Sequence, residues 1–115
     1  MTSWDEVVRI ALELPHTETS TWNHGPSLKV AGRSFARQRT ESDGLVVLAC
    51  APGEKEALLQ SGEVGISTTS HYDGYDFVLV DPELVSPDLL DELVRGAWWA
   101  RAPQRVRREL PDGFR

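Results

Sequence analysis

Cysteine is almost missing: Cys50 stands alone in 115 residues, so no disulfide can close within the chain and stability must come from packing. It sits at the end of an apolar run and reads as a small buried hydrophobe in a reducing, cytoplasmic setting. Histidine is scarce too. His16, His24 and His71 with that one cysteine give neither an H-E-x-x-H nor a C-x-x-C spacing, so no metal site is expected. No apolar stretch approaches the ~20 residues that span a bilayer, and the first residues read as a polar helix rather than a signal peptide. There is no G-x-S-x-G elbow, no cysteine with an identifiable histidine partner and no glycine-rich phosphate loop; Gly62-Glu63-Val64-Gly65 has glycines without the pattern. The chain therefore reads as non-enzymatic and without a cofactor, although an acid–base pair such as His71 and Asp73 leaves no sequence signature.

What is present is an ordinary globular composition, 40% apolar and 26% charged, in a length that suits one domain over 1–115, with its core over about 4–105 and a basic tail over 106–115. Net charge is −6, which opposes tight nonspecific binding of nucleic acid. The charges are segregated, however. Between Thr19 and Thr40 the ionised residues are Lys29, Arg33, Arg37 and Arg39, whereas Glu54 to Glu92 carries ten acids against Lys55 alone. The molecule should be electrically polarised.

Trp4, Val7, Val8, Ala11 and Leu14 share one helical face, which Pro15 ends. After a polar connection, 27–30, 33–39 and 45–49 read as strands punctuated by Ala31-Gly32 and Ser42-Asp43-Gly44. A short helix is expected over Glu54–Gln60, then strands around 64–67 and 75–80. Ser86-Pro87 caps a last helix whose buried face is Leu90, Leu93, Val94, Ala97 and Trp98. The order α-β-β-β-α-β-β-α predicts an α+β, two-layer fold with helices on one face of an antiparallel sheet.

Five pieces in this order carry a resemblance. They are Leu14-Pro15 with Glu18 behind it, Trp22-Asn23-His24-Gly25-Pro26, Gly32-Arg33-Ser34-Phe35-Ala36-Arg37, His71-Tyr72-Asp73-Gly74-Tyr75, and Ala97-Trp98 leading to Ala102-Pro103. Together they make the chain similar to the MmcQ/YjbR-like family over about residues 4 to 105. The resemblance implies a two-layer α/β "double-wing" domain, architecturally akin to secretion chaperones and frataxin-like proteins, whose members are commonly labelled DNA-binding. Where members often carry a lysine beside the late proline, this chain has Gln104-Arg105.

Two candidate surfaces follow. Alternation along 33–39 sets Arg33, Phe35, Arg37 and Arg39 on one face and the smaller Ser34, Ala36 and Gln38 on the other, so the arginine row is expected to look outward. With Lys29 and Arg105 it forms a candidate DNA surface, Phe35, Tyr72 or Tyr75 being the stacking residues; the plainer reading, and the commoner fate of surface charge, is that the row only solvates the open face and pairs with acids on neighbouring strands while Phe35 covers the sheet. The second candidate is a cleft between the two histidine-glycine turns, lined by Trp22, His24, His71, Tyr72 and Tyr75, for a small ligand or a protein partner. Trp99, about 100° round the last helix from Trp98, is either an exposed partner anchor or packed on a loop or the tail.

Overall fold

The computed structural model describes residues 4–22, 25–39 and 44–110. Helix α1 (Trp4–Leu12) is followed by strands β1 (Thr17–Trp22), β2 (Gly25–Val30), β3 (Arg33–Gln38) and β4 (Val46–Ala49). Helix α2 (Glu54–Gln60), strand β5 (Ile66–Ser67), a single 3-10 turn (Ser70–Tyr72) and strand β6 (Phe77–Val80) come next. Helices α3 (Pro87–Arg101) and α4 (Gln104–Arg107) complete the described chain.

The six strands form one antiparallel sheet in the order β1-β2-β3-β4-β6-β5, with helices packed on one face, as the pattern of elements predicts. The stretch read as a polar connection before Ser27 is instead β1. Its sequence Thr-Glu-Thr-Ser-Thr-Trp has no apolar face to announce it, but threonine is β-branched and an edge strand needs only one neighbour. Both sharp corners flanking the β1–β2 pair use left-handed residues, His16 (φ 58°) and Ala31 (φ 49°), and the Ala31 N–H donates to the His16 carbonyl.

Between sheet and helices lies the main core: Val7, Ile10 and Ala11 of α1, Leu90, Val94, Ala97 and Trp98 of α3, and Leu28, Val30, Ala36, Leu48, Val78 and Val80 of the sheet. The start of α3 is fixed by the Ser86 hydroxyl, which accepts from the Leu89 N–H at 3.1 Å, with Pro87 in the first turn. The indole of Trp98 donates to the Pro15 carbonyl at 3.0 Å, tying α3 to the corner after α1. Packing continues past residue 105, since Val106 of α4 is buried in the same core. Gly65 holds the corner before β5 at φ +102°, where an added Cβ would stand 3.0 Å from Leu84 Cβ; its carbonyl accepts from the Asp81 N–H at 2.8 Å.

The expected outward arginine row does not form. The β2–β3 register pairs Ser27 with Arg37 and Leu28 with Ala36, then Lys29 with Ser34 and Val30 with Arg33, which leaves Phe35 as an extra residue in β3. Such a bulge breaks the two-residue period. Phe35 and its neighbour Ala36 both enter the main core, at 0% exposure each. Arg37 is thereby turned to the opposite face and is only 5% exposed. Arg33 lies elsewhere, at the end of α3: its Nη1 donates to the Arg101 carbonyl and Arg101 Nε donates to the Ser34 carbonyl at 3.1 Å. Arg39 follows β3 and is half-buried.

Candidate functional site

The face of the sheet away from the helices gathers a set of residues that neither sequence motif contains by itself. Ser20, Ser27, Arg37, Val47 and Leu79 form one cross-strand row through the pairings Ser20–Ser27, Ser27–Arg37, Arg37–Val47 and Val47–Leu79. Tyr72 lies on this row, packed with Val47 and Leu79. Its hydroxyl accepts a hydrogen bond from Arg37 Nη2 at 2.6 Å.

Tyr72 is held from both sides of its own turn. Its N–H donates to the Thr69 carbonyl, and the Lys55 ammonium donates to the carbonyls of Tyr72 (2.6 Å) and Tyr75 (2.9 Å). The first turn of α2 thus anchors the segment that carries the motif His71-Tyr72-Asp73-Gly74-Tyr75. His71 packs edge-on against the Tyr72 ring at 4.9 Å and is itself exposed, as is Tyr75 at 63%.

Trp22 covers the arginine from the other edge of the sheet: the Arg37 guanidinium carbon stands 5.1 Å from its ring centroid, a cation–π geometry. The same indole reaches to 5.7 Å from the Phe77 ring, which in turn lies 6.2 Å from Tyr72. Trp22 and Phe77 belong to β1 and β6, four strands apart in the sheet order. In a flat sheet their backbones would stand about 19 Å apart. The sheet is therefore concave here, and Arg37 lies at the bottom of the concavity, walled by Trp22, Tyr72 and Phe77.

The electrostatics of this spot are unusual. Arg37 is a buried cation whose partners among the described residues are a neutral hydroxyl and an indole face. Among the described residues its Nε and Nη1 have no hydrogen-bond partner, and neither has Oγ of Ser27, the residue paired with it on β2 and 1% exposed. A buried N–H without a partner costs about 1 to 3 kcal/mol, and more when the group is charged. Two side chains paired across the β2–β3 ladder therefore leave polar atoms unanswered among the described residues.

The two candidate surfaces thus exchange members. Arg37 leaves the expected arginine row and joins Trp22 and Tyr72 of the expected cleft, while Phe35 leaves for the core. Lys29 is half-buried on β2, and Arg33 and Arg105 are exposed at the corner where α3 passes into α4. Trp99 belongs to the helix layer, where the Arg107 guanidinium lies 5.1 Å over its ring and Arg107 Nε donates to its carbonyl; it packs on the segment after α3. His24 lies outside the described residues, as do Ser42 and Asp43 of the expected turn. Ser27 was missed because a serine in a strand carries no signal of its own until its partner across the ladder is known.

A cavity of about 310 Å³ lies on the other side of the sheet, between α2 and α3, lined by Leu48, Cys50, Leu58, Leu89 and Leu93 among others. Arg95 in its wall is engaged by Asp91 (2.8 Å) and Glu13 (3.7 Å). Burial and the nearby carboxylates of Glu54 and Asp76 push the Cys50 thiol up to about 11, so it stays protonated at neutral pH. Among the described residues no three His, Cys, Asp or Glu side chains converge as metal ligands. No helix among them is long and apolar enough to cross a membrane.

Comparison with known proteins places this geometry in a family. The YjbR family model matches residues 12–100. "Uncharacterized protein Rv2570" of Mycobacterium tuberculosis and "Uncharacterized protein Mb2600" of Mycobacterium bovis are each 30% identical over 120 residues, covering 92% of this chain and 93% of the relative. The crystal structure of Deinococcus radiodurans protein DR2400, described as a DUF419 domain, superposes with a TM-score of 0.75 at 25% identity, over 97% of this chain and 91% of that one.

Proposed function

This chain belongs to the YjbR family, and from that premise we propose that it is a non-catalytic binding module whose ligand site is the concavity walled by Trp22, Tyr72 and Phe77 over Arg37. The observation that carries this reading is Arg37 itself, 95% buried with two of its three nitrogens unpartnered among the described residues. Such a group is weak evidence of a role in stability, because a well-packed apolar side chain is often as good or better there. Residues kept against stability mark function more often than architecture.

A role without chemistry is supported by where the reactive groups stand. Cys50, protonated at neutral pH, is under the helices, whereas His71 is exposed on the opposite side of the sheet. A nucleophile and a base must lie within hydrogen-bond reach to act together. A cytoplasmic location fits the lone free thiol.

The reading is tested by a thermal-shift screen of small aromatic compounds against the wild type and Trp22→Ala. Ligands that raise the melting temperature of the first and not of the second support it. Ligands that stabilise both alike sit elsewhere, the α2–α3 cavity being the obvious place, and overturn it.

DNA binding is a second reading, favoured by one different observation: the exposed Arg33 and Arg101 are brought together by the contact between β3 and the end of α3, and the exposed Arg105 and Arg108 follow on the next short helix and its C-cap. It is not the sheet surface of the sequence argument. Fluorescence anisotropy of labelled duplex DNA at low and at physiological salt tests it, since phosphate contacts give binding that falls steeply with salt. On this reading Arg33→Ala with Arg101→Ala weakens binding, and Arg37→Met leaves it unchanged.

A further inference from the structure

The concavity over Arg37 also specifies what kind of ligand it takes, an inference that rests on the reading just given. We infer that Arg37 and Ser27 form an anion anchor, and that the ligand is a small carboxylate carrying a planar apolar body. Arg37 Nε and Nη1 and Ser27 Oγ, on residues paired across the β2–β3 ladder, are buried polar atoms without partners among the described residues, and the N–H groups are donors. Donors from a cation call for an anionic acceptor. The serine hydroxyl can turn to donate as well.

Carboxylate is favoured over phosphate on charge and on shape. Arg37 supplies one positive charge at the bottom of the site, and the neighbouring Lys55 ammonium is committed to the Tyr72 and Tyr75 carbonyls. One cation balances a monoanion; burying a dianion against it leaves a charge uncompensated. A planar guanidinium also matches a planar carboxylate in its hydrogen-bond directions. The surroundings are aromatic, Trp22 and Phe77 in contact at 5.7 Å and Phe77 and Tyr72 at 6.2 Å, and once the indole shifts they offer ring surface to a flat apolar body.

The unpartnered atoms of Arg37 and Ser27 are shut off from solvent, and the indole of Trp22 lies over the guanidinium. Entry of an anion therefore shifts the Trp22 ring off the guanidinium, and the shifted indole becomes the face on which the ligand's planar body packs. Tyr72 keeps its place, since Lys55 and the 3-10 turn hold its backbone.

The test is an NMR titration of the full chain that follows the side-chain Nε–H of Arg37 and the indole N–H of Trp22. Benzoate, its neutral analogue benzyl alcohol, acetate and inorganic phosphate are the probes. Benzoate is expected to move both resonances saturably, and to bind about 10-fold or more tightly than benzyl alcohol, the worth of a charge-assisted hydrogen bond. Acetate, lacking the ring, should bind more weakly than benzoate. Ser27→Ala should weaken benzoate several-fold without unfolding the chain, and Arg37→Met should remove the difference between benzoate and benzyl alcohol. Equal binding of the acid and the alcohol at Trp22 overturns the carboxylate assignment while leaving the site in place. Benzoate that leaves Arg37 Nε unmoved overturns it too, and phosphate binding more tightly than benzoate assigns the anchor to phosphate instead. No probe moving Trp22 at all removes the inference and the site together.

Discussion

Replacing Arg37 by methionine is expected to make the protein more stable. The side chain would lose a charge-assisted hydrogen bond to the Tyr72 hydroxyl, about 1.5 to 3 kcal/mol, and its stacking with Trp22, about 0.5 to 2 kcal/mol. Against this, the variant no longer buries Nε and Nη1 without partners, about 1 to 3 kcal/mol each. It also avoids the desolvation of the charge itself, several kcal/mol more. Methionine keeps an unbranched stem that fills the space between Trp22, Tyr72 and Val47. The balance favours the variant by about 1 to 3 kcal/mol, in line with the gains seen when buried ionic groups are replaced by apolar ones. Urea unfolding of wild type and variant measures it directly, and the melting temperature should rise by about 4 °C per kcal/mol for a chain of this size. Tyr72→Phe should act the other way, because it takes from Arg37 its one hydroxyl acceptor, at about 1.5 to 3 kcal/mol. An Arg37→Met protein less stable than wild type by more than about 1 kcal/mol would refute the reasoning, and would make Arg37 a prop of the fold.

Three other outcomes follow from the packing. Phe35→Ala should cost about 3 to 5 kcal/mol in urea unfolding, since the ring is in the main core; a loss under about 1 kcal/mol would return it to the sheet surface. Cys50 is protonated in the folded chain up to about 11 against 9.0 without burial, so the unfolded chain releases its proton first and stability falls as pH rises through that window. The loss, about 2 to 3 kcal/mol by pH 11, should be missing in Cys50→Ala when the two unfolding curves are compared at each pH. Gly65→Ala should destabilise by about 1 kcal/mol or more, because φ +102° disfavours a side chain and the new methyl meets Leu84; an unchanged midpoint would show that the corner can relax.

Much of the fold was legible in the sequence because each element there follows its own period. Helix α3 is marked by Ser86-Pro87 and by the spacing of Leu90, Val94, Ala97 and Trp98, and α2 runs over the expected Glu54–Gln60. What escaped were features set by neighbours across the sheet. β1 is polar because it lies at an edge, so its threonines looked like a connection. The bulge at Phe35 is a two-strand property, hinted at only by the adjacent apolar pair Phe35-Ala36 inside an otherwise alternating stretch. That one extra residue moved Arg37 from an expected outward row to the bottom of the concavity. The candidate site was legible in its rims, Trp22 and Tyr72, which the two motifs carry, and illegible at its centre.

The proposed ligand site lies on the face of the sheet away from the helices, above Arg37. A crystal structure of the protein with a ligand from the thermal-shift screen tests this most directly. The ligand is expected between Trp22 and Tyr72, with an acceptor atom on Arg37 Nε or Nη1. A ligand held instead in the cavity between α2 and α3, with Trp22 still covering the guanidinium, would contradict it.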